Sequence, residues 1–117
     1  MTRVLTAVLV WGAVSAGAAA PQRVVTIPAA DGGPVQADLY GSGSRGVVLA
    51  HGGRFDRSSW RPQAQALAGA GFQVLALDFR AAVETRQGRE TPCLYDEACL
   101  AKDVLAAVRY LRREGVI

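Results

Sequence analysis

Short runs of hydrophobic residues separated by glycine-rich turns dominate this chain, and two of the runs carry almost no polar residue. Residues 47–50 are all apolar, and residues 72–79 are apolar except at two positions. Strands of this kind are covered on both faces, as they are in a parallel sheet flanked by helices. The pattern therefore predicts two buried, central strands.

Residues 23–27 and 34–40 are predicted to be shorter strands, and apolar residues alternate with polar ones in the second of them. The turn residues Asp31, Gly32 and Gly33 lie between the two runs. They predict a β-hairpin that precedes the first buried strand.

Two segments have the composition and periodicity of helices. Residues 60–70 are rich in Ala, Gln and Leu, with Ser58 and Ser59 as N-cap candidates and Pro62 in the first turn. Residues 96–113 are amphipathic, and Gly115 is placed to cap them. The apolar face is formed by Leu100, Val104, Ala107, Val108 and Leu111, and the residues away from it are Lys102, Asp103, Arg109, Arg112 and Arg113. Residues 81–91, which are polar, are predicted to form a long surface loop.

The order strand, helix, strand over residues 47–79 predicts a βαβ unit of the α/β fold class. The crossover in such a unit is right-handed in nearly all proteins, so the two strands should lie parallel. His51-Gly52-Gly53 and Asp78-Phe79-Arg80 should then open at the same edge of the sheet, where open α/β sheets bind ligands. The glycines should allow a sharp turn with exposed backbone N–H groups.

Gly41, Gly43 and Gly46 spell G-x-G-x-x-G, the spacing of a dinucleotide-binding loop. That loop must open a helix, whose N-terminus holds the pyrophosphate. Here an apolar strand follows instead. We therefore expect a flexible linker between strands and no nucleotide cofactor.

The bulk composition is that of one small folded domain. The chain has 117 residues, of which 50% are hydrophobic and 20% charged. The formal net charge is +3, but the arginines are scattered and the longest basic run is Arg112-Arg113. No nucleic-acid partner is expected.

Residues 1–20 have the features of a secretory signal peptide. Arg3 supplies a positive start, residues 4–14 an apolar core, and residues 18–20 an A-x-A cleavage site before Pro21. The alternative is an uncleaved anchor, but the apolar stretch is interrupted and short for a membrane span. The expected mature chain, residues 21–117, is secreted or periplasmic and has no stable membrane span.

Cys93 and Cys99 are the only cysteines of the chain. In an oxidising compartment, two closely spaced cysteines favour a disulfide over two free thiols. Two unpaired cysteines and a metal site are the alternatives. The spacing is not C-x-x-C and the chain has one histidine, so no metal site is expected.

From about Arg23 onward the chain resembles the α/β-hydrolases, especially small bacterial esterases and dienelactone-hydrolase-like proteins. The resemblance is carried by an apolar strand that ends in His51-Gly52-Gly53, by a helix, by a strand that ends in Asp78-Phe79-Arg80, and by an amphipathic helix. In that family the residue after His-Gly supplies a backbone N–H to the oxyanion hole. The resemblance therefore implies Gly53, with Arg54 as the neighbouring candidate, as oxyanion-hole donors.

Serine hydrolysis also needs a nucleophile on a G-x-S-x-G turn, an acid and a histidine base, in that chain order. The chain contains no G-x-S-x-G, and its serines lie in the signal, the linker or a helix start. His51 is interpreted as architectural rather than as a general base. Asp78 and Arg80 are interpreted as a structural charge pair that braces the loop rather than as catalytic groups.

The sequence therefore predicts the N-terminal half of a secreted serine hydrolase that acts on small-molecule carboxylic esters or related acyl bonds, without a cofactor. Ile117 falls where the family begins the strand that leads into the nucleophile. The alternative is a non-enzymatic exported α/β binding domain. Aggregation of residues 21–117 alone would favour the first reading, because a hydrophobic sheet edge would be unpaired. A G-x-S-x-G motif is expected within roughly ten codons after Ile117.

Overall fold

The computed structural model describes residues 22–91, 93 and 96–116, and the predicted signal segment, residues 1–20, lies outside them. Among the described helices, none has both the length and the hydrophobicity needed to cross a membrane.

The described residues form one mixed sheet of four strands, in the order β1-β2-β4-β3. The strands are β1 (Arg23–Pro28), β2 (Pro34–Tyr40), β3 (Arg45–Ala50) and β4 (Phe72–Leu77). β1 and β2 form the predicted hairpin, β2 pairs antiparallel with β4, and β3 pairs parallel with β4. The α/β class, the hairpin and the parallel pair are confirmed.

β3 differs from its prediction as a central, doubly covered strand. It lies at an edge of the sheet, and its apolar residues Val47, Val48 and Leu49 are only half-buried. β4 confirms its prediction, because it lies between β2 and β3 and its residues Val74 to Leu77 are fully buried. The apolar run predicted a strand with a neighbouring strand on each side. Among the described residues, β3 has one neighbouring strand, which is β4.

Helices cover both faces of the sheet. Side chains alternate between the two faces of a strand, so Val74 and Ala76 of β4 lie on one face, and Leu75 and Leu77 on the other. Helix α1 (Arg61–Gly69) packs on the first face through Ala64. The second face is covered by α3 (Glu97–Arg113) through Ala106, Ala107 and Leu111.

The start of the first helical segment differs from the prediction. A single 3-10 turn (Arg57–Trp60) precedes α1, and its N-cap is Asp56, not Ser58 or Ser59. The Asp56 side chain accepts the Ser58 N–H (2.8 Å), and Ser59 Oγ accepts the Asp56 N–H (3.2 Å). This is a capping box, in which the serine is the third residue rather than the cap.

The predicted surface loop at residues 81–91 is wrong over its first half, where a short helix, α2 (Arg80–Arg86), forms. Ala81 and Ala82 are buried in the interior. The Arg80 N–H donates to Asp103 Oδ2 of α3 at 2.9 Å, which satisfies an N–H group at the start of the helix. This partner lies 23 residues away, so the local sequence did not reveal it.

α3 confirms its predicted length, with Asp96 as N-cap and Gly115 at a φ of 81° just after its end. The assignment of Asp103 to the charged face is wrong, because Asp103 is only 2% exposed. Its carboxylate lies on the buried face because it binds the backbone and side chain of Arg80.

The three glycines of the G-x-G-x-x-G sequence have packing roles, and the segment is a tightly packed connection rather than a flexible linker. Gly41 has a φ of 73°, a conformation that favours glycine. A Cβ at Gly43 would overlap the backbone oxygen of Gly71, and one at Gly46 would lie 2.6 Å from Val116 Cγ1. Because Gly46 lies within β3, no helix opens at these glycines.

Cys93 and Cys99 form a disulfide, as predicted, with Cα atoms 5.3 Å apart. The bridge ties the segment that precedes α3 to the first turn of that helix.

Candidate active site

The two segments that follow the parallel strands line one cleft, as the βαβ prediction required. The cleft has a volume of about 590 Å³. One wall follows β3 and the other follows β4 and continues into α2 and α3. Its lining residues are His51, Gly52, Gly53, Arg54, Phe55, Phe79, Ala82 and Leu100.

The wall that follows β3 is a tight turn with two available N–H groups. The Phe55 N–H donates to the Gly52 carbonyl at 3.0 Å, which places Gly53 and Arg54 at the two central positions of a β-turn. Among the described residues, the Gly53 and Arg54 N–H groups donate no hydrogen bond. The site residues implied by the resemblance therefore lie together in the cleft with unused backbone donors.

The sharp turn expected at the glycines is present, although neither Gly52 nor Gly53 has a positive φ. A Cβ at Gly53 would meet nothing within 4 Å, and one at Gly52 would touch only the Phe55 ring, at 3.5 Å. The backbone conformation of the turn therefore does not itself require glycine. What glycine provides at position 53 is an open approach to the backbone.

His51 is buried, and both of its ring nitrogens are hydrogen-bonded to backbone groups. The Phe79 N–H donates to Nε2 (3.1 Å), so the ring proton lies on Nδ1, which donates to the Gly52 carbonyl (2.7 Å). The ring also makes an edge-on contact with Phe79, with centroids 5.1 Å apart. Asp78 Oδ1 is 3.9 Å from Nε2, but an Nε2 that accepts a hydrogen bond carries no proton and is not the cation of an ion pair. These contacts are those of a neutral, architectural histidine that joins β3 to β4.

The predicted charge pair between Asp78 and Arg80 does not form. Asp78 pairs with Arg57 instead. Arg57 Nη1 donates to Asp78 Oδ2 (2.6 Å), and Arg57 Nε donates to Asp38 Oδ1 of β2 (2.9 Å). Partial burial opposes the charge on Arg57, but the hydrogen bonds to Asp38 and Asp78 outweigh it and raise the pKa of Arg57 above its ordinary value. One guanidinium therefore bridges two buried carboxylates beside the cleft.

Arg80 belongs to a second cluster, whose carboxylates lie in the β1–β2 connection and in α3 and not in the Gly52–Phe55 turn. It donates to Asp31 Oδ1 (2.7 Å) in the β1–β2 connection and to Asp103 Oδ1 (2.7 Å) in α3. The hydrogen bond from Arg80 lowers the pKa of Asp31 to about 2, assisted by the Gly33 N–H. Arg80 therefore ties the end of β4 to α3 and to the hairpin.

No sequence pattern marks Arg57 or Asp38 as residues of this region. Their hydrogen bond spans 19 positions and that of Arg57 with Asp78 spans 21, and neither has a local spacing signal. The serines nearest the cleft are engaged at the capping box, where Ser59 Oγ accepts the Asp56 N–H. Among the described residues, no three His, Cys, Asp or Glu side chains form a group that could hold a metal ion.

Comparison with known proteins gave matches among solved structures. No family model matches the chain, and no curated protein sequence matches it. The epoxide hydrolase VrEH1 from Vigna radiata is 25% identical, with a TM-score of 0.63 over 78% of this chain. An epoxide hydrolase from an endophytic Streptomyces is 30% identical, with a TM-score of 0.57 over 79% of this chain. A dienelactone hydrolase from Anabaena variabilis is 21% identical, with a TM-score of 0.62 over 78% of this chain.

The chain spans only part of each of these structures: 29% of the Vigna radiata enzyme, 26% of the Streptomyces enzyme and 44% of the Anabaena variabilis enzyme. The similarity therefore concerns the fold of this chain and only a part of each of these enzymes.

Proposed function

We propose that this chain, whose described residues have a partial α/β-hydrolase fold, is the N-terminal portion of a secreted serine hydrolase acting on carboxylic esters or related acyl bonds. The observation that carries the proposal is the turn from Gly52 to Phe55. It places two unused N–H groups in a cleft at the carboxyl edge of the parallel strands.

Backbone N–H groups in such a turn suit the chemistry of acyl transfer. Attack on an ester carbonyl turns its oxygen into an oxyanion, and donors fixed in advance stabilise that charge without reorganisation. The loss of one such donor typically lowers kcat by roughly 10²- to 10³-fold. Gly53 and Arg54 would supply the donors.

The nucleophile, acid and base would come from residues beyond this chain. His51 does not serve as the base, because both of its ring nitrogens already bond to the backbone. Removing a proton from a nucleophile would require a free nitrogen within hydrogen-bond reach.

The lining of the cleft supports a small, largely apolar substrate. Phe55, Phe79, Ala82 and Leu100 contribute apolar side chains, and Arg54 is the one charged residue among the described residues of the lining. Apolar lining with a few polar groups is typical of small-molecule sites.

The experiment compares two polypeptides: the 117-residue chain, and the product of the same gene continued through the codons downstream. We expect the first not to hydrolyse p-nitrophenyl esters measurably above background, because it supplies neither the nucleophile nor the base of acyl transfer. The second should hydrolyse them and should lose activity when the serine of its G-x-S-x-G motif is changed to alanine.

Three outcomes would contradict the proposal. Turnover by the 117-residue chain that depends on Ser58 or Ser59 would place the nucleophile within it. Turnover of an epoxide but not of an ester by the longer product would refute the acyl chemistry. The absence of a G-x-S-x-G motif in all three downstream reading frames, together with a soluble monomer of residues 21–117, would favour a non-enzymatic exported binding domain.

Export is part of the same proposal and is supported by the disulfide between Cys93 and Cys99, since such bridges persist in oxidising compartments. Protein recovered outside the cytoplasm should begin at Pro21. An intact Met1 on that material would refute signal cleavage.

A further inference from the structure

We propose that Arg57 is a positioning residue that holds the oxyanion turn, Gly52 to Phe55, in its working place against the end of β4. The inference rests on the proposed function, because it concerns the placement of the donors at Gly53 and Arg54. Arg57 itself lies outside the lining of the cleft and would not touch the substrate.

The contacts of Arg57 join three elements. Its backbone N–H donates to Asp78 Oδ1 (2.8 Å), and its Nη1 donates to Asp78 Oδ2 (2.6 Å), so both oxygens of that carboxylate are used. Its Nε donates to Asp38 Oδ1 (2.9 Å). Asp38 lies in β2 and Asp78 directly follows β4. Arg57 therefore fixes the chain just after the turn to two strands of the sheet.

Because the two carboxylates are buried, they depend on the Arg57 guanidinium as a partner. The side chains of Asp38 and Asp78 are 3% and 7% exposed, whereas that of Arg57 is 28% exposed. Buried carboxylates must be paired, and Arg57 is the cation hydrogen-bonded to both. A guanidinium is planar and donates from several nitrogens in a fixed geometry, which a lysine ammonium cannot reproduce.

His51 holds the other end of the turn. Its Nε2 accepts the Phe79 N–H, and Phe79 is the residue that follows Asp78. The turn is thus fixed on both sides to two adjacent residues at the end of β4. A displacement of about 1 Å in catalytic geometry can lower the rate of reaction about 10²-fold. Fixing the turn at both ends therefore keeps the oxyanion donors in place.

A matched control for a purely structural effect exists in the Arg80 cluster. Arg80 follows the same strand and also pairs with a buried carboxylate, Asp103, as well as with Asp31. Its side-chain partners lie in α3 and in the β1–β2 connection, and its side chain makes no hydrogen bond with the turn. Loss of Arg80 should lower stability without moving the donors.

The first measurement is the steady-state kinetics of the longer gene product on a p-nitrophenyl ester, at a temperature where all variants are folded. For Arg57→Gln we expect kcat to fall by about 10- to 100-fold, with KM changed by less than about threefold, because the donors act mainly in the transition state. Arg57→Lys, which keeps the charge, should recover part of the loss. Arg80→Gln should leave kcat within about threefold of the parent value.

The second measurement does not depend on hydrolysis and is made on the longer gene product: the backbone ¹⁵N order parameter of Gly53 in ¹⁵N-glycine-labelled protein. We expect about 0.85 in the parent and in Arg80→Gln, and below about 0.6 in Arg57→Gln. If the Gln variant does not fold, Arg57→Lys and Asp38→Asn, each of which removes only part of the contacts, should give intermediate values.

The outcomes separate this inference from the proposed function. An inactive parent enzyme would overturn the proposed function, while the order parameter would still decide whether Arg57 holds the turn. An unchanged order parameter at Gly53 in the Arg57 variants would overturn the positioning role. Equal changes in kcat for Arg57→Gln and Arg80→Gln would also overturn it, because they would indicate a general loss of structure.

Discussion

Replacing His51 with alanine tests whether this residue is architectural, as its two hydrogen bonds indicate. The substitution removes the acceptor of the Phe79 N–H and the donor to the Gly52 carbonyl. Gly52 is exposed, so water can replace the ring at its carbonyl. The Phe79 N–H is part-buried and would lose its partner.

The expected loss of stability follows from these two facts and from the ring contact. A buried donor left without a partner costs about 1–3 kcal/mol. The edge-on contact with Phe79, at 5.1 Å between centroids, adds about 0.5–1.5 kcal/mol. We therefore expect His51→Ala to lower the free energy of unfolding by about 2–4 kcal/mol, a large share of the stability of a small domain.

Urea unfolding followed by tryptophan fluorescence measures this loss, with Phe55→Ala as the control. Phe55 lies in the same turn, but its side chain is 59% exposed, so its removal should change the free energy of unfolding by about 0.5 kcal/mol or less. A loss below about 1 kcal/mol for His51→Ala would show that the ring is not held by two backbone hydrogen bonds. The interpretation of His51 as an architectural residue would then be wrong.

Two further predictions concern packing and charge. Gly43→Ala should destabilise the chain by about 1–3 kcal/mol or more, because the new Cβ overlaps the backbone of Gly71. Gly53→Ala should be neutral or stabilise the chain by up to about 1 kcal/mol. Thermal unfolding of both variants measures these changes. The hydrogen bond from Arg80 lowers the folded-state pKa of Asp31 to about 2 from 3.8, so its stabilising contribution is complete above about pH 4 and is lost as the pH falls towards 2. The difference in urea midpoint between the parent and Asp31→Asn should therefore become smaller as the pH falls over that range. At high salt this change with pH should be weaker. A difference that does not change with pH would contradict the pKa shift.

Where local signals and packing demands agree, the elements were predicted correctly from the sequence. The β1–β2 hairpin, β4 and α3 each combine a clear hydrophobic period with turn or capping residues at their ends. The parallel pairing of β3 with β4 followed from the handedness of βαβ units, and it placed the segments after both strands at one edge. The location of the candidate oxyanion turn was therefore predictable from the order of the elements.

Apart from the N-cap at Asp56, the errors share one physical cause: they concern groups whose partners are distant in sequence. α2 begins where Asp103 accepts the Arg80 N–H, and the residues that follow are buried only in the folded chain. Asp78 pairs with Arg57 because β2, β4 and the oxyanion turn meet in three dimensions. An apolar run indicates a strand whose side chains are buried, but it does not show how many neighbouring strands pair with it. β3 was therefore predicted to lie at the centre of the sheet, whereas it lies at an edge.

For this protein, the sequence by itself determined the kinds of elements, their order and the edge of the sheet at which the cleft opens. The signals for these features are the hydrophobic periodicity, the glycines and the capping residues, and each of them acts over a few residues. Only the tertiary structure decided how the oxyanion turn is held. The carboxylates of Asp38 and Asp78 and the ring of His51 come from separate strands or strand ends. Burial forces such polar groups to find partners, and which partners they find depends on how the strands pair and pack.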